Sequence, residues 1–370
     1  MIYLDHHAAS PPDEAVCAVM ADVRARAWGN PSSAHAWGRA ARAALETARE
    51  QLAEAIGGKP ADVVFTAGGT EACNLAVLGV AHGRRVILTT PIEHPAVQEA
   101  VAARGADVRH LAVPAGCPPS PDAFAAQLDG VELAVVQWVN HEVGTRFDIP
   151  AYAEACRARA VPLVVDATQA LGKLPVNVQE LGAAAVAFAS SKVGGPLGAG
   201  ALWIRRDTEI ASLLHGGAQE RGRRAGTPDV VALAGFGAAA ACACSRVAQM
   251  PAVEARRDRL ESCLLELGAE VAGATGPRVA TVSTVSVPGW RGSSLVAALD
   301  LEGLGVSSGA ACSSGVEKPN ATLLAMYPAE AWRANAALRV SLSVTTTDDD
   351  VATAERVLRA VLPRKRAPRP

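Results

Sequence analysis

Aromatic side chains are scarce in this chain: five Phe, six Trp and three Tyr make up 4% of its 370 residues. A core of that composition has to be built from Ala, Val and Leu packed at short range. No apolar run reaches the roughly 20 residues that a membrane-crossing helix needs, so no membrane partner is expected. Charge of one sign is missing too, because 35 Lys and Arg stand against 37 Asp and Glu, a net −2. Without a basic excess there is no electrostatic footprint for nucleic acid. The opening MIYLDHHAAS has no charged segment followed by an apolar one, so no signal peptide is evident and a cytoplasmic location is expected. The eight cysteines, at 17, 73, 117, 156, 242, 244, 263 and 312, show no paired spacing of the zinc-site kind. No metal is therefore expected, and a disulfide framework does not suit so long a chain.

What is present is alternation of apolar strand-like runs with helical patterns between about 60 and 205, which predicts one doubly wound, mostly parallel sheet. Its most informative stretch is 161–200. There the run 162–165 ends on Asp166, with Gln169 three residues on, and the run 183–189 delivers Ser190, Ser191 and Lys192 into the turn GGPLGAG. Ligands of open α/β sheets sit beyond the carboxyl ends of strands, so an acid and a lysine at two such ends can face one ligand. An acid for a ring nitrogen and a lysine for a Schiff base are a protein's usual contribution to pyridoxal phosphate chemistry. A helix-capping acid and a surface lysine are the plainer alternative, and this stretch alone leaves both open.

Other segments bear on the same question. A strand at 62–66 runs into AGGTEACN, where a helix start offers free N–H groups to an anion; Gly69 allows close approach and Thr70 adds a hydroxyl. His94 lies just past a strand at 85–90, and NHEVGT, containing His141, follows a strand at 132–139. Helices are expected over 13–26, 38–55, 149–159 and 230–248, with a boundary at Met250–Pro251. Beyond it, helices at 253–267 and 293–301 and a strand at 279–287 suggest a smaller α+β unit. The run 307–315 is almost wholly Ser, Gly and Ala around Cys312; such a loop cannot pack a core, so that thiol is expected to be accessible.

Taken together, VDATQALGKLPVNV with its following lysine, the WGNPSSAH loop, the GGTEACN turn, GGAQERGRRAGT and SSGAAC resemble the cysteine desulfurases over nearly the whole chain. These are class V aminotransferase-like members of the fold-type I pyridoxal phosphate enzymes. The resemblance implies a large cofactor-binding domain over 13–250 and a small domain made of 1–12 and 251–370. It implies that Lys192 holds pyridoxal 5'-phosphate, Asp166 pairs with its ring nitrogen, Gln169 meets its phenolic oxygen, and His94 covers the ring and handles protons. Gly69, Thr70, Ser191 and, from a neighbouring subunit of a homodimer, Thr227 would bind phosphate. Asn30 and Arg339 would hold substrate L-cysteine, and Cys312 would take its sulfur for a sulfur-acceptor or scaffold protein, as in iron-sulfur cluster assembly. Three positions depart from the family: His141 replaces an asparagine, and Ala189 and Ser191 replace a serine and a histidine. A selenocysteine lyase, or another class V lyase or aminotransferase, is the alternative those departures keep open.

Overall fold

The structure is a computed structural model that describes residues 1–80, 83, 85–309 and 318–364. Its strands are β1 (Ile2–Tyr3), β2 (Val63–Thr66), β3 (Val86–Thr89), β4 (Asp107–His110), β5 (Leu133–Gln137), β6 (Leu163–Asp166), β7 (Ala185–Ala189), β8 (Gly200–Ile204), β9 (Glu270–Val271), β10 (Val282–Ser286), β11 (Leu304–Gly305) and β12 (Ala337–Ser341). Seven of them form the main sheet in the order β2-β8-β7-β6-β5-β3-β4. β4, β3, β5, β6 and β7 run parallel, as the strand–helix alternation predicts. β8 is antiparallel to both its neighbours. Residues 190–199 are too few for a crossover helix, so the chain can only fold back beside β7.

β5 to β8 are buried along their whole length, as expected of strands covered on both faces. The covering helices pack with small residues. Ala36–Ala55 and Val230–Ala241 cross so closely that a Cβ on Gly237 would lie 2.5 Å from Ala48 Cα. Scarce aromatics are thus compensated by short interhelical distances. The expected helix over 230–248 is broken at Cys242 into Val230–Ala241 and Ala243–Ala248.

A second apolar cluster gathers Leu4, Val253, Leu260, Leu295, Leu338, Val351 and Leu358. It lies on the antiparallel sheet β12-β10-β9 and on β1, which pairs in parallel with β11. Pro251 sits in the first turn of helix Met250–Glu266, where its missing N–H costs nothing. β10 starts later than the expected 279 because Val279 N donates instead to the carbonyl of Gly144, in the loop after β5 (3.0 Å). Among the described residues no helix is long and apolar enough to cross a membrane.

Candidate active site

The order of the main sheet reverses between β3 and β5, and such a switch point opens a crevice beyond the strand ends. His94 follows β3 and His141 follows β5, with ring centroids 4.9 Å apart at 75°. His94 caps helix Pro95–Ala103: its Nδ1 accepts from Ala96 N at 3.0 Å. In the neutral ring the proton is therefore on Nε2, the nitrogen left for exchange. Burial lowers the pKa of His94 against the pull of Asp166, so the neutral ring dominates at pH 7. His141 is turned in by its neighbours. The Asn140 carboxamide accepts from Glu142 N and Val143 N (3.0 and 2.8 Å), and Gly144 takes φ +74° where a Cβ would lie 2.5 Å from Val282 Cγ1. Burial, with His94 and Arg339 nearby, holds the His141 pKa well below the ordinary value. Its Nδ1 is buried with no hydrogen-bond partner among the described residues.

Asp166 closes β6, and its Oδ1 accepts from Thr168 N at 2.9 Å. Lys192 ends the turn Ser190–Lys192 directly after β7, and its Nζ donates to the Ala8 carbonyl. Burial first, then Arg339, lower its pKa, while Asp5 and Asp166 oppose the shift. A larger neutral fraction makes the amine a better nucleophile. Gly69 opens helix Gly69–Asn74, and a Cβ there would come within 2.9 Å of Ala189 Cβ and 3.0 Å of Thr168 Cγ2. Only a glycine lets this helix start approach the ends of β6 and β7 so closely.

These residues share one cleft of about 390 Å³. Gly69, Thr70, His94, His141, Glu142, Asp166, Gln169, Ser191 and Lys192 line it from segments that follow main-sheet strands, and His7, Ser307, Gly309 and Arg339 from the N-terminal segment and the neighbourhood of β12. A larger surface cavity of about 740 Å³, by Arg157, Gly182 and Arg205, lies at the opposite ends of β6 and β7 and holds none of the predicted residues.

Arg339, on β12, is already engaged. Nη1 donates to Glu142 Oε1 at 2.8 Å and to the His141 carbonyl at 3.2 Å, and Nη2 donates to Asp5 Oδ1 at 2.9 Å. Burial opposes its charge, yet Glu142 and Asp5 carry its pKa above the ordinary value. Its buried Nε has no partner among the described residues, which leaves a donor for a ligand carboxylate. Glu142 Oε2 accepts from Asn320 Nδ2 at 3.1 Å, and a Cβ on Gly309, at φ +66°, would lie 1.9 Å from the same oxygen. Cys312 lies outside the described residues; Gly309, the last one before it, and Asn320, the third described one after it, both meet Glu142.

Asn30 and Thr227 do not line the cleft of this chain. Both are exposed, and the Asn30 carboxamide accepts from Ser32 N at 2.9 Å within its own turn. Sequence reasoning missed His7, Glu142 and Lys173. Lys173 is 8% exposed, and its Nζ donates to Gln169 Oε1, one helical turn earlier in spacing. That four-residue spacing was the available signal. His7 and Glu142 gave none, because their partners are far away in sequence.

The donor set suits pyridoxal phosphate. It offers a carboxylate for a ring nitrogen, an amine of lowered pKa, two neutral imidazoles and an unpartnered buried nitrogen on His141. Ser191 lines the cleft with a hydroxyl at a position where the resemblance implies phosphate contact, although the family's serine and histidine are absent from 189 and 191.

An acid and a lysine at the carboxyl ends of two neighbouring strands, in a sheet of this order, point to a defined class. Residues 2–353 match the family described as Aminotransferase class-V, and the chain belongs to that family. Within it, the chain is similar to the cysteine desulfurases. It is 40% identical to the "IscS-like cysteine desulfurase" of Mycobacterium tuberculosis, over 99% of this chain and 97% of that one. Among solved structures, a "NIFS-LIKE PROTEIN" superposes with TM-score 0.89 at 29% identity, over 98% of this chain and 99% of that one. "SspA in complex with cysteine" superposes with TM-score 0.78 at 26% identity, over 93% and 99%.

Proposed function

We propose that this chain is an L-cysteine desulfurase that binds pyridoxal 5'-phosphate in the cleft, passes sulfur to Cys312 and works as a homodimer. The observation that carries the reading is the meeting of Asp166, Lys192 and His94 at strand ends in one cleft with Arg339 and Gly309, the last described residue before Cys312. Asp166 would hold the ring nitrogen, Lys192 the carbonyl carbon, Gln169 and His141 the phenolic oxygen, and Gly69, Thr70 and Ser191 the phosphate. When bound, the group supplies an electron sink that makes a carbanion beside the substrate amine accessible.

The chain's own residues do the rest. Arg339 orients the cysteine carboxylate through its free Nε. Lys192, released as an amine, moves a proton at the substrate Cα, with His94 Nε2 as its partner. The Cys312 thiolate attacks the substrate sulfur: an S–S bond forms, the Cβ–S bond breaks, and its electron pair stays on Cβ. Protonation of that carbon gives the methyl group of alanine, and the sulfur leaves as a persulfide on Cys312. No outside oxidant is needed, since the carbon is reduced as the sulfur is oxidised. An acceptor or scaffold protein, as in iron-sulfur cluster assembly, then takes the outer sulfur.

Two further parts belong to the same reading. Exposed Asn30 and Thr227, away from their own cleft, would complete a partner's site in such a homodimer. The second core and the β1–β11 pair support a small domain of 1–12 and 251–370 against a large one of 13–250. The test is direct: load the protein with pyridoxal phosphate, add cysteine or selenocysteine, and measure alanine and protein-bound persulfide. Cysteine should yield both, and Cys312→Ser should bind cysteine with a change in visible absorbance yet release no alanine. Persulfide found on Cys17 or Cys117 and never on Cys312 would overturn the assignment.

A further inference from the structure

Gln169 lines the cleft with an amide that has two chemically different ends, and its orientation decides what a ligand meets there. Its Nε2 donates to the His7 carbonyl at 2.9 Å, and its Oε1 accepts from the buried Lys173 Nζ. The reversed amide would set Oε1 against the His7 carbonyl oxygen and Nε2 against the lysine hydrogens, losing both bonds. With the observed orientation fixed at both ends, one N–H of Gln169 remains for the cleft.

His7 is itself held firmly enough to act as one of those ends. Its N donates to Ser341 Oγ (3.0 Å) and its Nδ1 to the His141 carbonyl (3.1 Å), so its Nε2 accepts from Thr281 Oγ1 (2.8 Å). Lys173 is the other end. It is buried, and among the described residues its Nζ makes its one hydrogen bond to Gln169. Burial and the nearby Lys192 and Arg339 lower its pKa, but charged or neutral the amine has a hydrogen to give. The cleft chemistry described above does not use it.

We propose that Lys173 is a positioning residue: it fixes the Gln169 amide so that the cleft presents an N–H donor to an anionic oxygen of the bound cofactor. The inference rests on the reading that pyridoxal phosphate occupies the cleft. It assigns Lys173 no contact with the cofactor and no part in covalent attachment.

A double-mutant cycle separates this from general packing. Apo protein is titrated with pyridoxal 5'-phosphate for wild type, Lys173→Met, Gln169→Ala and the double variant, reading the dissociation constant and the pH midpoint of the visible absorbance. Losing one hydrogen-bonded donor, at about 0.5–1.5 kcal/mol, corresponds to binding weakened about 2- to 12-fold. Lys173→Met and Gln169→Ala should each weaken binding and raise the midpoint. The double variant should be no worse than Gln169→Ala alone, and Lys173→Gln, which keeps an N–H donor, should recover part of the loss. Single effects that multiply in the double variant, or a Lys173→Met protein that binds like wild type, overturn the inference. If Lys173→Met does not fold, Lys173→Gln is compared in the same cycle and the same non-additivity is required. A wild-type protein that takes up no pyridoxal phosphate overturns the reading of the cleft, and this inference with it.

Discussion

One wall of the cleft is set by strand ends: β6 delivers Asp166, β7 delivers Lys192 and β3 delivers His94, with no ion pair among the three. The facing wall is tied together by charge. Asp5 and Glu142 both hold Arg339, and Glu142 holds Asn320, across sequence separations of 334, 197 and 178 residues. The sheet would form without the first set of side chains, so they are free to serve chemistry. The second set holds its wall together and, in the proposed function, presents Arg339 to the ligand; removing one member leaves a buried charge without its partner. Replacing residues on the two walls should therefore give opposite signatures.

The largest effect is expected on the first wall. Lys192→Ala should lower alanine release by 10²–10⁴-fold or more, the usual range for one proton-transferring group, while the melting temperature stays near that of wild type. Borohydride reduction should fix the cofactor to the Lys192 peptide in the wild type. Label on Lys173 instead would contradict both the assignment of Lys192 and the positioning role of Lys173.

On the second wall Glu142→Gln removes one carboxylate from buried Arg339. Breaking such a pair from one side typically costs about 3–5 kcal/mol, and the surviving Asp5 contact places this variant at the low end. Urea unfolding should show the loss, accompanied by a higher KM for cysteine. A variant as stable as the wild type would mean that the charges do not hold the wall.

The smallest effect is on pH dependence, and it concerns the neutral His7 at the junction of the two walls. Burial, then Lys173, Arg339 and Lys192, hold its folded pKa well below the ordinary 6.5, while the His141 carbonyl opposes the shift. Between those two values the unfolded chain binds a proton that the folded one does not. Stability contributed by neutral His7 is therefore complete above about pH 6.5 and declines by up to about 1.4 kcal/mol per unit as pH falls. His6, lowered to about 4, His94 and His141 act with the same sign. Buried Glu93, raised to about 8, acts the other way. Comparing wild type with His7→Asn isolates one group: the wild type's advantage at pH 7.5 should shrink by about 1 kcal/mol at pH 5.5. A constant gap would mean that His7 is not shielded from protonation.

The same comparison explains what could be read from the sequence. The first wall was legible because each of its residues ends an apolar run, a local signal visible over ten residues. Asp166, Lys192, His94 and the Gly69 turn were found that way. Arg339 could be matched only through family resemblance, and its partners Asp5 and Glu142 carry no periodicity that points to it. The antiparallel β8 was readable in principle from the short 190–199 connection, and the late start of β10 was not, since the competing bond comes from Gly144. Cys312 rests on its loop composition and on the family.

The first ten residues carry a consequence for how the protein assembles. Leu4 O accepts from Ser341 N, Asp5 pairs with Arg339, Ala8 O meets Lys192, and the His7 carbonyl orients Gln169. Each of these partners lies more than 160 residues downstream, the farthest by more than 330. On a growing chain the main sheet can close once β8 is made, but the N-terminal segment cannot complete its pairing until β11 and β12 are made. Long-range closure of this kind is slow. The catalytic cleft should thus be among the last parts of the molecule to form, after most of its hydrophobic surface is already buried.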